Sequence, residues 1–143
     1  MSNFEIFAHG ESFIPNDYLS STILKIDRIW HKGEAGHDHP KSSGVAIHLG
    51  NGYELNVPEQ ERIAINYLTK YNDELKELGY YSGVSAFILG LQYHLKIDGS
   101  ITGFCMGPTK ELMECALRVG IEPTFYVTLE HECEYEIEYP KNV

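Results

Sequence analysis

The chain has 143 residues, a length that suits one domain; such a domain buries roughly 68% of the surface its unfolded chain exposes, enough for a core without staples. Hydrophobic residues make up 43% and charged residues 22%, which excludes a disordered polar chain. With 21 acidic against 11 basic residues the formal net charge is −10. That balance weighs against nucleic acid, where affinity comes from lysine and arginine on phosphates, and against anionic membranes, and it favours basic partners.

Phe4-Glu5-Ile6-Phe7-Ala8 alternates as a first strand and ends at His9-Gly10. Pro15 suits a first helical turn, with Asp17 near the positive end of the dipole, so a short helix is predicted over 15–24 with Tyr18, Leu19 and Ile23 inward. Lys25 to Trp30 alternates again and is predicted as a second strand, with Ile26, Arg28 and Trp30 on one face. Residues 31–44 are dense in Gly, Pro, Ser and His and read as loop. Val45 to Leu49 is a strand, Gly50-Asn51-Gly52 a turn, and Tyr53-Glu54-Leu55 a hairpin extension.

The longest predicted element is a single helix over 57–78. Asn56 suits the N-cap, Pro58 the first turn, and Glu59 and Glu61 the dipole. Ala64, Tyr67, Leu68, Tyr71, Leu75 and Leu78 form one apolar stripe, and Gly79 reads as the stop. Val84 to Ile97 reads as a strand broken at Gly90, Asp98-Gly99 as a hairpin turn, and Ile101 to Phe104 as the return. A helix follows over 108–119, with Leu112, Cys115, Ala116 and Val119 on one side and Gly120 as its end. Phe125 to Tyr139 is the last extended stretch, long enough that a bulge or break is expected near Glu130-His131.

These elements predict a single α+β domain, residues 1–143, with an antiparallel or mixed β-sheet packed by one long helix and two shorter ones. Pro15 to Ile26 and Pro108 to Val119 share a proline, a leucine four residues on, then an aliphatic pair. The echo points either to two strand–helix–strand halves or to the convergence of amphipathic helices on one spacing.

Residues 130–143 form an acidic terminal strand or tail, with five Glu and one Lys, hence −4 of the total. Glu130, Glu132, Glu134, Glu136 and Glu138 stand at every second position, so in a strand they share one face at a spacing of roughly 7 Å. His131, Cys133, Tyr135, Ile137 and Tyr139 take the other face. Two readings apply: a solvated polar face that protects a sheet edge, or a binding face for a cationic partner with Tyr135 and Tyr139 as anchors.

Among sites for chemistry, His31, Glu34, His37, Asp38 and His39 are the sharpest group. His31, His37 and His39 are of the type that ligates Zn²⁺. His37-x-His39 lacks the i, i+4 helical geometry of a metalloprotease motif and no cysteine pair completes it, so a polar loop is the competing reading. His131 and Cys133 share a face but stand about 7 Å apart, too far for a direct hydrogen bond, and Cys115 and Cys133 read as small core residues. No nucleophile elbow, phosphate-binding loop or dinucleotide fingerprint occurs, and no cofactor and no catalytic residue are implied. Cys105, Cys115 and Cys133, odd in number and without CxxC spacing, suit reduced thiols. The N-terminus lacks a basic n-region and an apolar h-region, and no run approaches the roughly 20 apolar residues of a membrane span. A cytoplasmic location without membrane contact is expected.

Trp30-His31-Lys32-Gly33-Glu34 follows the first helix, Lys41-Ser42-Ser43-Gly44 comes next, and Gly107-Pro108 to Leu112 and Leu117-Arg118-Val119-Gly120-Ile121 lead into the last strand. In this order the chain, up to about Leu129, resembles the bacterial family designated domain of unknown function 4279. Val45 stands where a second tryptophan is expected, and the Glu ladder extends past the family-like region. The resemblance carries no catalytic residue. It implies small acidic proteins of the kind found as immunity factors beside polymorphic toxins. The expectation is a non-enzymatic acidic binding protein, an immunity protein or inhibitor of a basic toxin domain. The alternatives are a small-ligand or metal-binding module using the His31–His39 loop, and a protein that self-associates through its sheet edge.

Overall fold

The computed structural model describes residues 4–34, 40–50, 57–97 and 107–131. Five strands and four helices follow in the order β1 (Phe4–Gly10), α1 (Pro15–Leu19), β2 (Arg28–Trp30), β3 (Ser43–His48), α2 (Val57–Lys70), α3 (Asn72–Tyr80), β4 (Ala86–Ile97), α4 (Lys110–Val119) and β5 (Glu122–His131). The sheet order is β2-β3-β1-β4-β5. β2/β3, β3/β1 and β1/β4 pair antiparallel, whereas β4/β5 is parallel, so the sheet is mixed and the fold is α+β.

One face of the sheet is the core. Phe4, Ile6, Ala8 and Gly10 of β1 are buried while Glu5, Phe7 and His9 between them are half-buried, the period-two pattern of a strand with one packed face. Leu89 and Leu91 of β4 stand beside Ile6 and Phe4. Helix residues close over them: Tyr18 from α1, Ala64 and Leu68 from α2, Leu75 and Leu78 from α3, and Leu112, Cys115, Ala116 and Val119 from α4. Phe4 and Tyr93 meet edge to face at 5.4 Å between centroids. The predicted inward faces of α2, α3 and α4 are those observed.

Several boundaries differ from expectation. α1 ends at Leu19 rather than residue 24. The Ser20 and Ser21 hydroxyls donate to the carbonyls of Asp17 and Tyr18 at 2.7 and 3.2 Å, offering the backbone an exit from the helix. Ile23 then falls on the surface, 74% exposed. Strand β2 begins at Arg28, and Ile26 packs against the core instead of sharing the Arg28 and Trp30 face.

The predicted single helix over 57–78 is two, α2 and α3, separated at Tyr71 with φ −107° and ψ 27°. Thr69 Oγ1 donates to the Ile65 carbonyl at 2.7 Å, a back-bond that bends helices. Hydrogen bonds still run from Tyr71 N to Tyr67 O and from Leu75 N to Tyr71 O, so the apolar stripe continues across the bend. Gly79 is not the stop. α3 runs on to Tyr80, and a Cβ on Gly79 would lie 2.7 Å from the Phe87 ring, so this glycine lets helix and sheet approach.

β4 passes through Gly90 without a break. α4 starts at Lys110, because Thr109 is its N-cap and accepts from the Leu112 amide at 3.3 Å. It closes on Gly120 in the left-handed region, as expected. Both proposed halves run strand–helix–strand, but β4 and β5 are direct neighbours while β3 lies between β1 and β2. The hairpins placed at 50–55 and 98–104 lie largely or wholly outside the described residues. Among the described residues no helix is long and apolar enough to cross a membrane.

Candidate functional site

The side of the sheet opposite the helices carries the groups of interest. Strand register decides which residues meet there, since residues paired directly across a ladder share a face. Phe7 stands between Ala46 of β3 and Ile88 of β4, Glu5 between His48 and Gly90, and His9 between Gly44 and Ala86. Arg28 pairs with Ala46 and Trp30 with Gly44. On β5, Glu122, Thr124 and Tyr126 take register with Ile88, Gly90 and Gln92.

These residues enclose a groove of about 490 Å³ lined by Phe7, His9, Arg28, Trp30, Pro40, Ile88, Gly90 and Tyr126. Its walls are mostly aromatic and aliphatic with two polar groups, the composition of sites that bind through shape and apolar burial. Two glycines make it possible. A Cβ on Gly44 would overlap the Trp30 indole, and one on Gly90 would press on the Phe7 ring at 3.1 Å.

The charges in the groove are already engaged. The Arg28 guanidinium lies over the rings of Phe7 and Trp30, 5.9 and 5.6 Å from their centroids. It also faces Glu5 Oε2 at 3.8 Å, while Glu5 Oε1 meets His48 Nδ1 at 3.1 Å. His9 is tilted against Trp30 at 6.3 Å, and its Nδ1 shares a hydrogen bond with Ser42 Oγ at 3.1 Å. The Lys32 amide donates to Ser43 Oγ at 2.8 Å and the Gly33 amide to the Pro40 carbonyl at 2.9 Å. Those two bonds close the neck of the histidine-rich loop beside the groove.

A second cavity of about 470 Å³ lies between the N-terminal parts of α2 and α4, lined among others by Glu61, Arg62 and Thr109. Glu61 is 4% exposed, and its Oε1 accepts from the Tyr93 hydroxyl at 3.0 Å. The sequence places Glu61 on the helix dipole; here it is a buried acceptor that holds α2 to β4.

Of the proposed partner-binding residues, Glu130 is in β5 opposite Lys96. Glu132, Glu134, Glu136, Glu138, Tyr135 and Tyr139 lie outside the described residues. Of the proposed metal ligands, His31 is exposed, with Nδ1 2.7 Å from Glu34 Oε1. That hydrogen bond holds the Glu34 carboxyl below its ordinary range. His37 and His39 lie outside the described residues. Among the described residues no three His, Cys, Asp or Glu side chains gather as a metal site. Cys115 is 5% exposed within the core, the small hydrophobe expected of it.

Sequence reading did not bring Phe7, Trp30, Ile88 and Tyr126 together. The signal available was the second parity of β1, where Phe7 sits between Glu5 and His9 on the face a strand usually gives to water. Comparison of the chain with family models, curated proteins and solved structures finds no match.

Proposed function

We propose that this chain is a non-enzymatic binding protein that meets a basic protein partner through the open face of its sheet. The observation that carries the reading is the aromatic groove between Phe7, Trp30 and Tyr126 on the face opposite the helices. Large apolar groups in a concave setting are what interface anchors need. The net charge of −10 supplies long-range attraction to a cationic surface and speeds encounter more than it deepens affinity. With the resemblance noted above, this supports an immunity factor or inhibitor of a basic toxin domain, with the ladder Glu130 to Glu138 as the steering element.

The test is association with the basic product of a gene adjoining this one. Binding is expected to slow steeply as salt rises. Reversing Glu132, Glu134 and Glu136 to Lys is expected to lower the association rate, and Tyr126→Ser to raise the dissociation rate. A complex that forms at the same rate with the triple reversal overturns the steering role; one indifferent to Tyr126→Ser overturns the assigned face.

A second reading, a small-ligand module using the His31–His39 loop, is favoured by one observation. Trp30 and Pro40, which bracket that loop, both line the groove. A ligand there would protect Trp30 from fluorescence quenching without any protein partner.

A further inference from the structure

We infer that the groove on the open sheet face receives a planar aromatic side chain carried on a lysine- or arginine-rich segment of the partner protein. This deepens the binding-protein reading above and rests on it. The cavity, about 490 Å³, offers Phe7, Trp30, Ile88 and Tyr126 as apolar walls. An aromatic ring gains both area burial and offset or edge-to-face contact in such a setting.

Electrical balance argues against a small anion as occupant. Among the described residues Arg28 is the one formal cation lining the groove, and it is held by two rings and by Glu5. A carboxylate would have to compete with Glu5 for it. A neutral ring instead stacks beside the guanidinium and leaves the Glu5 pair in place. The floor is kept open at Gly90, where any Cβ would lie against Phe7 and take up the space. Outside the groove the chain as a whole is acidic, −10, so the segment that bears the ring is attracted when it is cationic.

Trp30 is the sole tryptophan, so its fluorescence reports the groove directly. The probes are short peptides with a central Phe flanked by Lys, the same peptide with Ala at the centre, and the Phe peptide flanked by Glu. The Lys-flanked Phe peptide is expected to shift Trp30 emission saturably, with the Ala peptide weaker by about tenfold or more. Gly90→Val, which fills the floor, and Tyr126→Ser, at a surface position, are each expected to abolish that difference. Should Gly90→Val fail to fold, Tyr126→Ser decides alone. Equal binding of the Phe and Ala peptides, or no emission change with any Phe peptide, overturns the aromatic anchor. Equal binding with Lys and Glu flanks sustains the anchor and removes the basic partner, so the two readings fail separately.

Discussion

Trp30 lies across Gly44 so closely that a methyl group on Gly44 would overlap the six-membered ring of the indole. The two residues face each other in the β2/β3 ladder, and the missing side chain on one is the seat of the other. Trp30 in turn carries Arg28 and touches His9, so this one pair fixes a wall of the groove.

Gly44→Ala therefore should unseat the indole. Overpacking of this kind costs about 1–3 kcal/mol. The expected outcome is a lower melting temperature together with Trp30 emission shifted to longer wavelength as the ring moves into water. Wild-type emission from a folded Gly44→Ala variant would show that the indole is not seated there.

The Tyr93 hydroxyl donates to Glu61, and both side chains are buried. Tyr93→Phe deprives a buried carboxylate of that donor at a cost of about 1–3 kcal/mol. Pairing it with Glu61→Leu removes the stranded acceptor as well, so the double variant is expected to recover much of the loss. Denaturant unfolding of the four proteins measures the coupling, and strictly additive losses would contradict a direct bond between α2 and β4.

What was readable from the sequence was local. α4 is the clearest case: Leu112, Cys115, Ala116 and Val119 recur at helical spacing between Pro108 and Gly120, and all four are buried. The groove was not readable because its residues come from four separate strands and, at Pro40, from a loop, and only the register of β1 against β3 and β4 brings Phe7 to Ile88 and Ala46. Short-range competition hid other features. The Thr69 hydroxyl bends the α2–α3 junction, and the serines after Leu19 end α1, although neither residue type forbids a helix. Glycine has several uses that look alike in sequence. Gly120 caps a helix, whereas Gly79 and Gly90 yield space to Phe87 and Phe7.

Three tyrosines should resist alkaline ionisation. Burial raises Tyr67 and Tyr93 well above the usual tyrosine value, and the hydrogen bond donated to Glu61 adds to the effect at Tyr93. Tyr18 is raised too, chiefly by burial, with the hydroxyl of Thr22 opposing in part. In each case the folded state keeps its proton longer than the unfolded chain, whose tyrosines ionise near about pH 10. The stabilisation is whole below that pH and is lost as pH rises toward the folded values. Tyrosinate absorbance is expected to rise in a late step that coincides with unfolding. Ionisation of all tyrosines in one early, fully reversible step would contradict the burial of these three rings.

At the neck of the histidine-rich loop, His31 Nδ1 and Glu34 Oε1 are 2.7 Å apart and both side chains face water. The hydrogen bond from His31 lowers the Glu34 pKa, so the folded carboxyl stays ionised to lower pH than the unfolded one. Its contribution to stability is present above the unfolded carboxylate value and fades as pH falls through the folded one. For so exposed a pair that contribution is small. His31→Ala is expected to return Glu34 to the ordinary carboxylate range in an NMR titration while leaving the melting temperature unchanged. Zinc added to the wild-type protein can take His31 only by displacing Glu34 from Nδ1 or by using the other ring nitrogen. A zinc-induced rise in melting temperature that His31→Ala abolishes would assign the loop to metal binding; no rise leaves the pair as a surface contact.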